Sequence, residues 1–265
     1  MSNLLEVKEL TVEFDTTNGL FRAVDNISFK IDTGECIGIA GESGSGKTQT
    51  FFSITGILSD NGRANGIANF NNYNLLSLSE KELSRIRGKE IGFIFQDPMT
   101  SLTPHMTIGN QLIEVSIYHE NATKSDALKK AKNVLDIVKL PRIDNLMNKY
   151  PHELSGGMRQ RVMIGMSIMC DPKLIIADEP TTALDVTTQK DILKIFNDLK
   201  LHKNITLALI SHDIGVINEV SDNIIVMNNG KIVETGICEE VLKNPQDKYT
   251  QHLLSCIPDW LEKDE

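Results

Sequence analysis

Long apolar runs, paired cysteines and an excess of positive charge are all missing from this chain. No uninterrupted apolar stretch approaches the ~18 residues that a bilayer span requires, so any work at a membrane would depend on docking to another chain. The four cysteines, Cys36, Cys170, Cys238 and Cys256, are scattered without C-x-x-C spacing. Neither a zinc knuckle nor a disulfide framework is indicated, and reduced thiols of a cytosolic protein are expected. Lys and Arg total 27 against 36 Asp and Glu, a net charge of -9, which argues against a surface built to neutralise phosphates along a nucleic acid. A local basic pocket for one nucleotide stays possible. The opening MSNLLEVKEL has no basic flank, apolar core or small-residue cleavage site, so no secretory signal is expected. Repeats and low-complexity tracts are absent, which gives no support to a solenoid or a disordered tail.

What is present fits a globular α/β protein. With 265 residues, 40% of them hydrophobic and 24% charged, the chain can bury a sizeable core in one large or two small domains. Residues 5–14 and 23–31 alternate apolar with polar and predict half-buried strands in a small antiparallel layer. Residues 35–40 are nearly all apolar and run into a glycine-rich turn, after which 49–58 resumes at helical spacing. Helix-compatible runs dominate 79–149, including 125–138, where Leu128, Ala131, Leu135 and Val138 are expected on one face. Short apolar runs at 174–177, 206–210 and 224–227 predict strands covered on both faces, with a helix over 188–201. An α/β core thus starts, is interrupted, and resumes. The expected divisions are 1–97 for the β layer and the first part of the core, 98–160 for a helical subdomain, 161–236 for the rest of the core, and 237–265 for a helical tail.

The turn is Gly41-Glu42-Ser43-Gly44-Ser45-Gly46-Lys47-Thr48, matching G-x-x-x-x-G-K-[ST] at every fixed position. Glycines let the backbone wrap so that successive N–H groups face the phosphates of a nucleoside triphosphate, helped by the positive end of the following helix. Lys47 then bridges β and γ oxygens and the Thr48 hydroxyl ligates Mg²⁺. The run Leu174-Ile175-Ile176-Ala177-Asp178-Glu179 ends an apolar strand in two carboxylates. A strand entering a polar loop can look the same, but downstream of a phosphate loop Asp178 is expected near Mg²⁺ and Glu179 against the attacking water.

Phosphate loops occur in GTPases, kinases, helicases and transporter motors, so other residues must discriminate. Leu154-Ser155-Gly156-Gly157-Met158-Arg159-Gln160-Arg161 resembles the LSGGQ signature of ABC ATPases, with Met158 departing from the last position as oligopeptide-importer subunits do. Gln96-Asp97-Pro98 resembles a Q-loop, Ala183-Leu184-Asp185 a D-loop and Ser211-His212-Asp213 the switch histidine, all in the family's order. Wording such as Tyr150-Pro151-His152-Glu153 and Asp178-Glu179-Pro180-Thr181-Thr182 is similar to peptide importers, closest to the oligopeptide importer's first ATPase; dipeptide and nickel importers share much of it. Longer members carry a cysteine-rich extension associated with an iron–sulfur cluster, and none is expected here. ABC ATPases of DNA repair form a distant alternative, disfavoured because no sustained heptads or basic cluster lie between Lys47 and Asp178. A GTPase is disfavoured because N-K-x-D does not occur.

The resemblance implies a RecA-like P-loop NTPase core with an N-terminal antiparallel β subdomain and an inserted α-helical subdomain. It implies ATP and Mg²⁺ as cofactors, Glu179 as base, His212 at the γ-phosphate, Gln96 sensing Mg²⁺ and water, and Thr50 among the nucleotide-binding residues. Two ATPase subunits would sandwich two ATP molecules, each held by one subunit's loop and by Ser155, Gly156 and Gly157 of the other. Adenine would stack on an N-terminal aromatic, Phe14 or alternatively Phe21. The implied partners are a second, different ATPase, two membrane-spanning permease subunits and, indirectly, an extracytoplasmic substrate-binding protein, with no nucleic acid. The implied location is the cytoplasmic face of the inner membrane, as a peripheral subunit importing oligopeptides.

Overall fold

A computed structural model describes residues 3–203 and 205–256, so residues 257–265 of the expected helical tail lie outside the described residues. In chain order the elements begin with β1 (Asn3–Thr16), β2 (Gly19–Asp32), β3 (Cys36–Ala40), α1 (Lys47–Thr55), β4 (Gly62–Phe70), β5 (Tyr73–Asn74) and α2 (Glu80–Ile86). They continue with β6 (Ile91–Ile94), α3 (Pro98–Ser101), α4 (Ile108–Glu120), α5 (Lys124–Ile137), α6 (Ile143–Leu146), α7 (Gly156–Ser167), β7 (Leu174–Asp178) and α8 (Val186–Lys203). The last are β8 (Thr206–Ile210), α9 (Ile214–Val220), β9 (Asn223–Asn228), β10 (Lys231–Ile237), α10 (Cys238–Lys243) and α11 (Lys248–Ser255). Two compact units result, one of Met1–Leu83 with Thr206–Glu265, the other of Ser84–Ile205.

In the first unit, β2, β1, β4 and β5 form an antiparallel sheet in that order. The period-two alternation of β1 buries Leu5 and Val7, then shifts phase and buries Leu10 and Val12. A bulge explains the shift: the register slips between Val7 and Leu10, and Glu9 takes a left-handed φ of 50°. The same unit holds β3 between two parallel neighbours, β8 and β9. Every residue of β3 and β8 is buried, as strands covered on both faces should be. A two-residue turn, Asn229 and Gly230 at φ 48° and 77°, returns the chain from β9 into antiparallel β10. Beneath this sheet Ala40, Ile214, Ile217, Ile224, Val226, Cys238 and Val241 form one apolar cluster, onto which Tyr249, Leu253 and Leu254 pack.

The second unit joins a parallel pair, β6 and β7, to a helical group in which α4, α5 and α7 pack together. Hydroxyl caps fix the helix starts: Thr107 accepts from the Asn110 N–H, Thr123 from Asp126 and Ser155 from Met158. Two expectations need correction here. Residues 91–94 form a buried strand inside the stretch read as helix-compatible, because pairing with β7 satisfies a four-residue run too short to carry helical periodicity. On α5 the buried face is Ala127, Ala131, Val134 and Leu135, while Leu128 is 40% exposed. Of the four expected residues, Ala131 and Leu135 are buried on α5 and Val138 is buried at its C-cap; Leu128 sits one position beyond Ala127, and the 100° turn carries it out toward solvent.

Candidate functional site

Parallel strands deliver their following loops to the same edge, and ligands of α/β sheets bind at carboxyl ends. In the first unit β3 feeds residues 41–48 and β8 feeds Ser211-His212-Asp213, with Ile39 opposite Ile210. The Ser211 N–H donates to the Ile39 carbonyl at 3.1 Å, so His212 follows directly from a residue tied to the strand before the phosphate loop. Asp213 caps α9 by accepting from the N–H groups of Gly215 and Val216, which leaves His212 exposed at the turn.

The loop itself is shaped by glycine. A side chain on Gly41, at φ 146°, would lie 2.2 Å from the Met227 carbonyl oxygen, and one on Gly46, at φ 101°, 2.5 Å from that of Ala23. Both residues also need a left-handed backbone that other residues adopt at a cost. The β9–β10 turn braces the loop, as the Gly230 N–H donates to the Ser45 carbonyl at 3.0 Å. Inside, the buried Lys47 ammonium donates to the carbonyls of Gly41 at 2.6 Å and Glu42 at 2.8 Å, and lies 3.5 Å from the Ser45 hydroxyl. Thr50, also buried, donates to the Gly46 carbonyl at 3.0 Å, fastening the first turn of α1.

These residues fit a triphosphate. The N-cap of α1 is Gly46, which has no side chain to take up the helix's first N–H groups. At Gly44, φ 82°, a Cβ would meet nothing within 4 Å, so one side of the loop is open space. Ser43 and Thr48 belong to the same continuous turn into α1. Phe14, half-buried, pairs with Phe21 across β1 and β2, and Phe21 is 56% exposed.

In the second unit the parallel pair repeats the arrangement. Ile94 of β6 pairs with Ala177 of β7, and the residues two positions further on, Gln96 and Glu179, meet: the Gln96 amide Nε2 donates to Glu179 Oε2 at 3.0 Å. The Thr182 hydroxyl donates to the same oxygen at 2.9 Å. Glu179 sits at φ 47° and Ala183 at φ 63°, left-handed conformations that cost of order 1 kcal/mol or more each and that cluster at functional sites. Asp178, the last residue of β7, is 4% exposed. Within this unit the Asp178 carboxylate and the Gln96 amide oxygen are hard donors of the kind Mg²⁺ takes, and in the first unit the Thr48 hydroxyl is another.

The signature residues begin α7. Ser155 is its N-cap, its Oγ accepting from the Met158 N–H at 3.4 Å, with Gly156 and Gly157 in the first turn. Next to them stands a residue that the sequence reading did not single out. Thr188 presses its methyl where a side chain on Gly157 would be, 2.5 Å from that Cβ. Its hydroxyl and N–H both donate to Asp185, at 2.7 and 3.0 Å, and these bonds hold the Asp185 carboxyl below the ordinary carboxylate range. The D-loop thereby supports the signature helix. A cavity of about 210 Å³ opens there, lined by Ser155, Gly157, Met158, Arg161 and Thr188 among others. A larger one, about 530 Å³ along β10 and α10, contains none of the expected site residues.

Known proteins agree with this reading. The family model described as "ABC transporter" matches residues 24–182. The oligopeptide transport ATP-binding protein OppD of Salmonella typhimurium is 48% identical over 255 residues, 96% of this chain and 76% of that protein. AppD of Bacillus subtilis, also an oligopeptide transport ATP-binding protein, is 45% identical over 97% of this chain and 79% of its own. The dipeptide transport ATP-binding protein DppD of Escherichia coli is 44% identical over 99% and 80%. Among solved structures, the ATP-binding cassette MJ0796, a dimer bound to ADP and phosphate, superposes with a TM-score of 0.79 at 28% identity, covering 88% of this chain and 98% of that one. cbiO1 of Clostridium perfringens, part of an ABC transporter complex, gives 0.77 at 28% identity over 92% of each. Phosphate loop, acidic strand end and signature helix, with relatives spanning nearly the whole chain, show that this protein belongs to the ABC transporter family as an ATP-binding cassette ATPase.

Proposed function

We propose that this chain hydrolyses ATP to drive uptake of oligopeptides through an importer whose membrane-spanning subunits are separate chains. The observation that carries the catalytic part is the Gln96–Glu179 hydrogen bond at the carboxyl ends of β6 and β7. Glu179 takes the proton of the attacking water. Two donors on Oε2, from Gln96 and Thr182, fix the direction of Oε1. The N–H groups at the start of α1 and the Lys47 ammonium hold the β- and γ-phosphates in place. Thr48, Asp178 and Gln96 hold Mg²⁺, which neutralises phosphate charge when bound. His212 contacts the γ-phosphate, and Phe14 stacks on adenine.

The start of α7, with Ser155, Gly156 and Gly157, is an anion site of the same kind as the phosphate loop, and it serves the γ-phosphate of a second ATPase subunit. Hydrolysis removes the shared γ-phosphate and lets the pair open. No described helix is long and apolar enough to cross a membrane; the chain docks peripherally on two permease subunits at the cytoplasmic face, a reading that rests on relatives named as transport ATP-binding proteins. The second ATPase is a different, similar chain, and an extracytoplasmic binding protein delivers cargo. Names of relatives at 44–48% identity support peptide cargo, with dipeptides as the nearest second reading.

Glu179→Gln keeps an oxygen that can accept from Gln96 and Thr182 but cannot accept a proton. The purified variant should bind ATP with unchanged affinity, lose turnover by about two orders of magnitude or more, and shift on gel filtration toward a dimer in ATP and Mg²⁺. Retained turnover would remove Glu179 from the base role. Peptide-stimulated ATPase activity in vesicles carrying the whole importer tests the cargo.

A further inference from the structure

One peptide plane of the phosphate loop is held from both sides, and one holder lies far away in sequence. The carbonyl of Gly41 accepts from the Lys47 ammonium at 2.6 Å. The N–H of the same Gly41–Glu42 peptide donates to the Tyr249 hydroxyl oxygen at 3.0 Å, across 207 residues. Rotating this plane would break both bonds and release Lys47 from its present direction.

Tyr249 is well placed to act as an anchor. It belongs to α11, whose N-cap, Asp247, accepts from the Tyr249 N–H at 2.8 Å. Glu234 of β10 ties down the preceding turn by accepting from the N–H groups of Gln246 at 2.7 Å and Asp247 at 3.2 Å. The ring packs on the cluster containing Ala40, the residue just before the loop, and Ile214, two residues after His212. Burial raises the phenol's pKa above its ordinary value, against a smaller lowering from the Glu42 N–H bond, so the hydroxyl stays intact at neutral pH.

We propose that Tyr249 is a positioning residue for ATP binding: its hydroxyl clamps the Gly41–Glu42 peptide so that Lys47 and the loop are preset for phosphate, coupling α11 to the nucleotide. This rests on the reading of residues 41–48 as the phosphate cradle. Without the hydroxyl the exposed Glu42 N–H turns to water, so the fold keeps its stability. ATP must then order the peptide as it binds, which weakens affinity. A neutral hydrogen bond's usual net contribution corresponds to about a three- to tenfold loss. Coupling is reciprocal, so ATP should also slow amide exchange in α11.

The test compares the purified full chain with Tyr249→Phe, which keeps the ring and removes only the oxygen. ATP affinity is read by displacement of trinitrophenyl-ATP and turnover at steady state. The expected result is a KM and Kd for ATP raised about three- to tenfold, with kcat within about twofold and Tm within about 2 °C. Unchanged affinity overturns the proposal. A lowered Tm with parallel losses in kcat and affinity overturns it as well, because it assigns Tyr249 to packing alone. Lys47→Ala, run alongside, should abolish ATP binding; if it does not, the cradle reading fails, whatever Tyr249→Phe does.

Discussion

Gly157 shows how far a single absent side chain reaches. A Cβ there would stand 2.5 Å from the Thr188 methyl, which cannot withdraw without disturbing the two bonds that Thr188 donates to Asp185. Gly157→Ala should therefore cost about 1–3 kcal/mol of local stability and lower ATPase activity in the assembled pair. Thr188→Ser removes the clashing methyl and keeps the hydroxyl, so the double variant should recover most of the loss. A Gly157→Ala protein that melts and turns over like the parent would contradict this, as would failure of rescue. Cysteine chemistry gives a second residue-level expectation. Burial raises the thiols of Cys170 and Cys238 to about 11, Cys36 is buried too, and Cys256 is exposed. Ellman's reagent at pH 8 should titrate one thiol quickly in the native protein and the other three after denaturation; two or more fast thiols would contradict the burial. At this scale the sequence revealed residues whose spacing is itself the signal, such as Gly41, Lys47 and Ser155. It could not reveal Thr188 or Tyr249, because contacts between distant segments leave no local mark, nor the left-handed backbone of Glu179.

Between elements, α4 and α5 are joined by charge as well as by packing. Lys130 of α5 bonds Glu120 of α4 at 2.8 Å and Asp171 at 3.1 Å. Burial alone would raise the Glu120 pKa, but the bonds from Lys130 and Ser116 outweigh it and lower it; burial would likewise lower Lys130, and its two carboxylate partners raise it. A lowered carboxylate contributes above its unfolded pKa and is lost as pH falls through the folded one. A raised amine contributes below its unfolded pKa and is lost as pH rises through the folded one. The tie thus holds fully between the ordinary values of the two groups, 4.5 for the carboxylate and 10.5 for the amine. Lys130→Met should destabilise by about 0.5–1 kcal/mol at pH 7, with the deficit fading as Glu120 protonates below pH 4.5. Denaturant melts at both pH values decide it, and an equal deficit at each would show that packing alone had changed. Strands such as β3, β7 and β8 were legible because burial on both faces writes continuous apolar runs. β6 was not, since four residues are too few to show a period; its identity comes from pairing with β7. The bulge at Glu9 likewise left a mark only as a break in the alternation of β1, between Val7 and Leu10.

For the molecule as a whole, the proposed two-subunit sandwich separates what Lys47 and Ser155 do. Lys47 lies in this chain's own phosphate loop, whereas Ser155 caps a 12-residue helix whose N-terminus is assigned to the partner's nucleotide. Substituting each should therefore fail in different places. Lys47→Ala should abolish ATP binding by the isolated chain. Ser155→Arg fills the helix start with a long side chain and removes the cap oxygen that the Met158 N–H uses. It should leave the isolated chain's ATP affinity within about twofold, while turnover at the partner's site falls by about an order of magnitude or more. Mixing either variant with the wild-type partner ATPase, and measuring ATP binding and turnover separately, distinguishes the assignments. If Ser155→Arg weakens this chain's own ATP binding as Lys47→Ala does, both motifs serve one nucleotide within one chain, and the sandwich is wrong. In the proposed sandwich, opening and closing would be governed by the nucleotide between the subunits, with α11 and Tyr249 setting how readily this chain's loop accepts it.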